Sequence, residues 1–551
     1  MSFSVAPRPA IQPYLVTAAQ MQQIEGRMFE AGIPVAALME KVSGKLTNWF
    51  VEQLYHDKPY DAPCDDAHKT QTALKQPANT LIGILAGPGH NGGDAMVVAR
   101  ELHHRGFQVC IYQPFSRCKP LTQQHASYAK HLGIPFIDTV EALADCDAII
   151  DGWFGFGLAR PITGDLAGDI ETLNEQSTPI FSIDLPSGIH TDTGQVMGVA
   201  LKASHTACLG LWKRAFMQAN ALDFFGQTAL IDFDIPLADI ESVLGDSPTV
   251  QRITDRRAIT AISLHRAPTA HKYTAGHLLL IAGSRQYAGA ALLCGLGAIA
   301  SGVGMLTLAI PESIRLSLLS QLPGALLLGC EETDSGAIAR LPATLDLSKY
   351  DAIALGPGLT PTVPDLLTTV LSHPSPLLLD ADGLNLLART NPTQQLQNRP
   401  VLTVLTPHLG EFKRLFPKFF ADSEQDIDCA LPGELLPGHI AQQAAQASGA
   451  TILLKGPRSA IATPETLWFN PYSTPALARG GSGDVLTGLM GGLLASHSRT
   501  GKPLIDAVIG AVWWHSQAAS YASKQRTVLG VDPLQLAHHL NPALQAAMRL
   551  T

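Results

Sequence analysis

Short apolar runs recur along this chain, and nearly every one stops at a turn rich in Gly, Asp or Pro. The first set is TLIGILAG (80–87), QVCIYQP (108–114), DAIIDGWF (147–154), PIFSIDLP (179–186) and TALIDFDI (228–235). Runs of this length and composition predict buried strands. Helix-patterned segments lie between several of them. Strand and helix in alternation predict a parallel sheet covered on both faces. The alternation restarts with GHLLLIAGS (276–284), MLTLAI (305–310), DAIALGPG (351–358), SPLLLDADG (375–383), PVLTVLTP (400–407) and ATILLKGP (450–457). Helices are predicted at about 482–497, 503–523 and 532–549. A long amphipathic helical region, 18–54, precedes the first strand and breaks near Gly32-Ile33-Pro34. Residues 236–275 carry little pattern until a helix around 254–263. The reading is two different α/β domains in tandem, 15–235 and 254–551, joined by a linker at 236–253. The polar stretches 55–79 and 416–437 read as surface insertions without chemistry.

Composition narrows the function. Hydrophobic residues make up 46% of 551 residues and charged residues 15%, a globular balance. The formal charge is -9 and no Lys/Arg-rich run occurs, which argues against a nucleic-acid or anionic-membrane binder. Eight cysteines are scattered without a CxxC pair, so reduced thiols in a cytosolic protein are expected, with no zinc site. The start, MSFSVAPRPAIQPYL, lacks the pattern of a signal peptide. The expected location is the cytoplasm. Ala290 to Ile310 is uncharged and long enough to suggest a membrane span. Its glycines and its β-rich end fit a buried helix followed by a buried parallel strand better.

In the first half, three predicted strands end in polar groups. The first runs into Gly87-Pro88-Gly89-His90-Asn91-Gly92-Gly93-Asp94 and then a helix. A Gly-rich turn at a helix start exposes N–H groups that suit a phosphate. It is not the dinucleotide GxGxxG fingerprint, because the spacing differs and no acidic residue ends the next strand. The others end in Asp151, before Gly152-Trp153-Phe154-Gly155, and in Asp184-Leu185-Pro186-Ser187-Gly188. Ligands of open α/β sheets sit at such strand ends, and this oxygen-rich set suits a hard cation. Any one of these Asp residues, taken alone, also reads as an ordinary cap or turn residue.

GPGHNGGD, DGWFGFG and DLPSG, with Lys213 in TACLGLWKRAF, closely resemble the NAD(P)H-hydrate epimerase domain over about 15–235. The resemblance implies a Rossmann-like fold. It implies that His90, Asn91, Gly92, Gly93, Asp94, Gly155, Phe156, Gly157, Leu158, Ala159, Arg160, Pro161 and Asp184 hold a hydrated nicotinamide dinucleotide. It further implies a potassium ion on Asn91, Asp151 and Ser187, with Asp184 and Lys213 as the acid/base pair. Epimerising the hydrated carbon needs reversible loss of a stereocentre, for which a carboxylate and an ammonium can move protons. Lys213 as a solvated surface lysine is the plainer alternative. Position 90 is His where the family usually has Asn, and Lys41-Val42 follow Glu40 where it usually has Asn-Ala.

In the second half the strongest signal is Ala478-Arg479-Gly480-Gly481-Ser482-Gly483-Asp484, opening a long apolar helix. Small residues let a phosphate approach the backbone, and the helix start stabilises the anion. Asp484 is then placed to act as a base, or simply to cap the helix. This use of Gly-Ser-Gly-Asp resembles the ribokinase-like fold. Tyr287-Ala288-Gly289-Ala290, Leu355-Gly356-Pro357-Gly358, Asp380-Ala381-Asp382-Gly383, Thr406-Pro407-His408-Leu409-Gly410-Glu411 and Lys455-Gly456 join it. Together they resemble the ADP-dependent NAD(P)H-hydrate dehydratase domain over about 250–550. By that resemblance Ala290, Gly358, His408 and Asp484 contact the hydrate, and Lys455, Gly456, Pro457, Arg458, Ser459 and Gly483 contact the nucleotide. Individually, His408 reads as a capping histidine and Gly358 as a turn glycine. Arg479 stands where the family usually has Thr.

The fold expected is therefore two tandem three-layer α/β/α domains, Rossmann-like then ribokinase-like, as in bifunctional repair enzymes. The substrates implied are NADHX and NADPHX, with ADP as co-substrate. Asp484 would deprotonate the hydroxyl of the S hydrate, which takes the terminal phosphoryl of ADP. Loss of phosphate then restores NAD(P)H and leaves AMP. Magnesium can assist, although no dedicated carboxylate cage is readable. Apolar helices leave a homo-oligomer open. Three rival readings are a ribokinase-like vitamin or sugar kinase, a non-catalytic binding module in the first half, and an NAD-dependent oxidoreductase.

Overall fold

The computed structural model describes residues 6–56, 76–262, 264–360, 364–397, 399–420 and 436–549. Most of the two polar stretches read as insertions lies outside the described residues. The chain divides into two compact units, Met1–Pro248 and Thr249–Thr551.

In the first unit the strands are β1 (Leu15–Val16), β2 (Leu81–Ala86), β3 (Gln108–Tyr112), β4 (Phe136–Ile137), β5 (Ala148–Gly152), β6 (Ile180–Ile183), β7 (His205–Leu209), β8 (Trp212–Lys213) and β9 (Gln227–Ile231). Seven of them form one parallel sheet in the order β4-β3-β2-β5-β6-β7-β9. From β2 the chain winds outward one way to β3 and β4, then returns to β5 and winds the other way. The reversal between β2 and β5 is a Rossmann-like switch point, where the loops after the two strands part and leave a crevice. The central strands are buried along nearly their whole length, so they read as continuous apolar runs. The expected helical region is two helices, Ala18–Glu30 and Val35–His56, with Gly32 in the left-handed region between them. Thr17 and Gln20 form a reciprocal cap at the start of the first helix. β1 pairs with β8, putting Val16 opposite Lys213.

The expected linker, 236–253, is built into both units. Leu237–Leu244 is a helix in the first unit, with Ile240 buried and Asp239 paired to Arg27 of the helix Ala18–Glu30 at 3.1 Å. Val250–Arg252 is β10, an edge strand of the second unit's sheet. Elements this short carry too few apolar residues to show a period.

In the second unit β10 is followed by β11 (His277–Ile281), β12 (Met305–Pro311), β13 (Leu326–Glu332), β14 (Ile338–Arg340), β15 (Ala352–Leu355), β16 (Leu377–Leu379), β17 (Thr403–Leu405), β18 (Thr451–Leu454), β19 (Ala460–Ala462) and β20 (Leu467–Phe469). They form an 11-stranded sheet, β10-β20-β19-β18-β17-β16-β15-β11-β12-β13-β14. β18 through β13 run parallel, while β19 and β14 are antiparallel to their neighbours. The span Ala290–Ile310 is the helix Ala288–Ala300 followed by β12, as the pattern predicts. Among the described residues no helix is long and apolar enough to cross a membrane.

The helix Ala288–Ala300 lies against the helix Ser482–Thr500. A Cβ on Gly488 would overlap the Cys294 carbonyl, and one on Gly297 would overlap that of Val485. The backbones therefore touch, which only glycine permits. This contact fixes the start of the Ser482 helix above the strand ends.

Candidate active sites

In the first unit Asp184 follows β6 with φ 68, a left-handed conformation rare for a non-glycine residue. That turn aims the carboxylate inward. Its Oδ2 accepts from Phe156 N–H at 3.2 Å and its Oδ1 from Leu209 N–H at 3.1 Å. Lys213 also donates to Oδ1, and to the Leu209 carbonyl at 2.6 Å. Both side chains are buried, Lys213 completely. Burial alone would discharge Lys213. The Asp184 carboxylate outweighs it, aided by Cys208 and Glu25, and holds the ammonium above its ordinary range. Lys213 is thus no surface lysine.

Gly155 connects this pair to the loop after β2. A Cβ there would meet Asn91 Oδ1 at 3.1 Å and Asp184 Oδ2 at 3.4 Å. Asn91 is half-buried at the start of the helix His90–His104, and its Nδ2 has no hydrogen-bond partner among the described residues. An unsatisfied buried donor beside the Asp184–Lys213 pair is the kind of group a ligand satisfies. Asp94 is buried one turn later, bonded by Ser43 Oγ at 3.3 Å, and burial pushes its carboxyl well up. The segment Gly157–Pro161 forms a largely exposed rim, with Leu158 half-buried. His90 is exposed, and burial against the loop, then Lys119, lowers its imidazole.

Asp151 ends β5 and is fully buried. Its Oδ1 accepts from Ser187 Oγ at 2.6 Å and Trp153 N–H at 3.2 Å; its Oδ2 accepts from Ser182 Oγ and Ser187 N–H, both at 2.8 Å. Burial raises its carboxyl, and only hydroxyls and backbone N–H groups oppose this. Asp151 is thus a buried carboxyl held by Ser182, Ser187 and Trp153, with no cationic side chain among its bonded partners.

Glu25 joins the first site without any motif to announce it. It is half-buried on the helix Ala18–Glu30, one turn after buried Met21. Burial pushes its carboxyl up to about 7, with Lys213 pulling down and Asp184 pushing further up. The only signal in the sequence is an acidic residue on the edge of an apolar stripe.

In the second unit the ends of β18, β17, β16, β15 and β11 line one crevice. Asp380 ends β16, accepting from Lys455 Nζ at 2.8 Å and Thr487 Oγ1 at 2.7 Å. The sites a Gly483 Cβ would contact are Lys455 Nζ at 3.6 Å and Asp380 Oδ2 at 3.8 Å. The opening of the Ser482 helix thus stands over the ion pair. Asp484 is half-buried there, and burial, then Asp380, push its carboxyl up to about 7 against the pull of Lys455. Behind the turn, His515 Nε2 donates to the Ser482 carbonyl at 2.9 Å, and burial lowers this imidazole to about 4, keeping it neutral.

The other expected residues fall into two groups. Gly358 (φ 67) packs against Tyr287 and Ala290, joining the turn after β15 to the helix Ala288–Ala300. His408 bridges to Lys455 across β17 and β18 and caps the helix Leu409–Leu415, with Nδ1 accepting from Gly410 N–H at 3.0 Å. It is thus both a capping histidine and a crevice residue. Gly456 and Pro457 are exposed, Ser459 Oγ donates to the Gly456 carbonyl at 3.1 Å, and Arg458 turns away to Pro471 and Ser473. Among the described residues no cluster of three His, Cys, Asp or Glu side chains is arranged for a metal.

The family described as NAD(P)H-hydrate dehydratase matches residues 278–542, and the family described as YjeF-related protein N-terminus matches 35–215. The bifunctional NAD(P)H-hydrate repair enzyme Nnr of Thermosynechococcus vestitus is 48% identical over 97% of this chain and 98% of its own. That of Synechocystis is 51% identical over 96% of this chain and 94% of its own. The chain belongs to the bifunctional NAD(P)H-hydrate repair enzyme family. An ADP/ATP-dependent NAD(P)H-hydrate dehydratase from Bacillus subtilis, co-crystallised with ATP and magnesium, is 31% identical, with a TM-score of 0.44 over 53% of this chain and 97% of that one. Membership of the family favours repair over the kinase reading.

The side chains of Lys41 and Arg479, expected to depart from the family pattern, are held by surface partners. Lys41 pairs with Asp234 at 2.8 Å on the surface, while Ser43 behind it holds Asp94. Arg479 reaches the Leu529 carbonyl at 2.5 Å.

Proposed function

We propose that this chain repairs NADHX and NADPHX in two steps, one per unit. The first unit interconverts R and S hydrates at Asp184 and Lys213. The second removes water from the S hydrate at the expense of ADP. The observation that carries the reading is the pairing, in a member of this family, of a buried Asp184–Lys213 couple with a separate Asp484 held near neutrality.

The division of labour follows the expected domains, 15–235 and 254–551. In the first, the hydrated nicotinamide would lie over Gly155, with Asn91 Nδ2 supplying the free donor. The carboxylate and ammonium hydrogen-bond directly, so one can accept a proton as the other gives one. The rim from Gly157 to Pro161, with His90 to Asp94, would hold the dinucleotide. Asn91, Asp151 and Ser187 would hold potassium, whose charge would offset the buried Asp151 carboxylate.

In the second, Asp484 takes the hydroxyl proton of the S hydrate as the terminal phosphoryl of ADP moves to that oxygen. Phosphate then leaves as the adjacent ring carbon gives up a proton to re-form the double bond, giving NAD(P)H and AMP. N–H groups at the start of the Ser482 helix stabilise charge on the transferring phosphoryl. Ala290, Gly358 and His408 would line the hydrate side. The loop Lys455–Ser459 and Gly483 would take the nucleotide, with magnesium carried by its phosphates. The expected location is the cytoplasm, and a homo-oligomer fits the apolar helices.

The test is recovery of reduced-nicotinamide absorbance from mixed R and S NADHX, with ADP, ATP or no nucleotide. Full recovery is expected with ADP. Asp484→Ala should recover nothing, and Asp184→Ala only the S fraction plus slow spontaneous conversion. No recovery with any nucleotide overturns the dehydratase reading.

A further inference from the structure

Lys455 stands in the sequence as the first residue of a nucleotide loop, yet its side chain does not follow that loop. Gly456 and Pro457 face outward, while the Lys455 ammonium turns in under Gly483. It meets Asp380, a carboxylate no motif assigns to any role. We infer that the Asp380–Lys455 pair is the charged floor of the phosphoryl-transfer centre. Asp380 is its positioning residue, holding Lys455 against the transferring phosphoryl and off Asp484. This rests on the dehydratase reading above.

Three observations support it. First, Asp380 is held from two other elements, by Lys455 after β18 and Thr487 in the Ser482 helix, while the Thr406 hydroxyl lies close by and donates to the Leu379 carbonyl at 3.2 Å. A carboxylate gripped this way cannot swing, and the ammonium bonded to it is fixed too. Second, the two partners differ in exposure: the Asp380 side chain is 2% exposed and that of Lys455 24%. With three donors and one of them bonded to Asp380, the Lys455 ammonium has N–H groups left for a phosphoryl oxygen. Third, the geometry separates two roles that would otherwise collapse into one. Lys455 without Asp380 would pair with the nearby Asp484, and a base locked in an ion pair is a poor base. Asp380 takes that pairing on itself.

The charges around Asp484 agree. Asp380 and Lys455 act on it directly; Glu411 acts on Lys455, and the buried Cys294 thiol and neutral His515 flank it from the two packed helices. Burial opposes ionisation of Asp380, but Lys455 and the two threonines hold it ionised. Removing that negative charge leaves Asp484 beside an unpaired ammonium.

The experiment uses the full chain with S NADHX and ADP across pH. In Asp380→Asn, kcat should fall by about tenfold or more while the KM for ADP changes by less than about threefold. The acid limb of kcat should move down by about one pH unit as Asp484 becomes easier to ionise. Thr487→Val, which removes only the Thr487 hydroxyl from Asp380, should move both in the same direction by less, and guards against misfolding of the first variant. If both variants keep the wild-type profile and lose only melting temperature, Asp380 is structural and the inference fails. Asp484→Asn is run beside them: if it stays active with ADP, the base assignment fails instead, and this inference with it.

Discussion

At Asp484 the chemistry depends on which form of one carboxyl is present. A base must be ionised, and burial holds this carboxyl up to about 7. Dehydration should therefore be weak in mild acid and rise through about pH 7, following the deprotonated fraction. Asp484→Asn should lower kcat by about 10²–10⁴-fold with little change in melting temperature, read from the absorbance assay and thermal unfolding. Asp184 differs, because its partner Lys213 is fully buried. Asp184→Asn leaves that ammonium without its anion, at a cost of about 3–5 kcal/mol. Epimerisation should vanish and the first unit's melting temperature should drop together. Asp184→Asn combined with Lys213→Met should recover much of the stability and none of the activity.

The element scale shows what the sequence could and could not reveal. Gly488 is nearly two turns inside the helix Ser482–Thr500, where its role is to let the Cys294 backbone approach. Gly488→Ala should push the two helices apart, destabilising the second unit by about 1–3 kcal/mol and slowing dehydration without touching epimerisation. Nothing in a helix-opening motif separates Gly483, which sits over the ion pair, from Gly488, which packs a helix. The long buried strands were legible because parallel strands covered on both faces are continuous apolar runs. β7 was not, because His205 and Thr206 break its run. β10, β19 and β20 are three residues each and below any period. The carboxyls proposed as catalytic were legible where they stand, Asp184 at a strand end and Asp484 at a helix start. Glu25, Asp380 and His515 act through burial and partners that only folding brings together.

For the whole molecule, the two units suggest that each reaction is local to its own core. Strands β2 to β7 with β9 form one sheet within Met1–Pro248, and β10 to β20 form the other within Thr249–Thr551. The former linker residues belong to those units as well: the helix Leu237–Leu244 packs on the helix Ala18–Glu30 in one, and β10 pairs in the sheet of the other. A cut at Pro248–Thr249 should then sever no sheet pairing, whereas a cut at 235–236 would strip Ile240 from the first core. Fragments 1–248 and 249–551, expressed separately, should each unfold in one cooperative transition, and the intact chain in two. Fragment 249–551 with ADP should restore the S hydrate alone. Adding fragment 1–248 should bring R hydrate into repair without any covalent connection. If 249–551 folds but needs the other half to use S NADHX, the dehydratase crevice is incomplete on its own, and the two reactions share more than a chain.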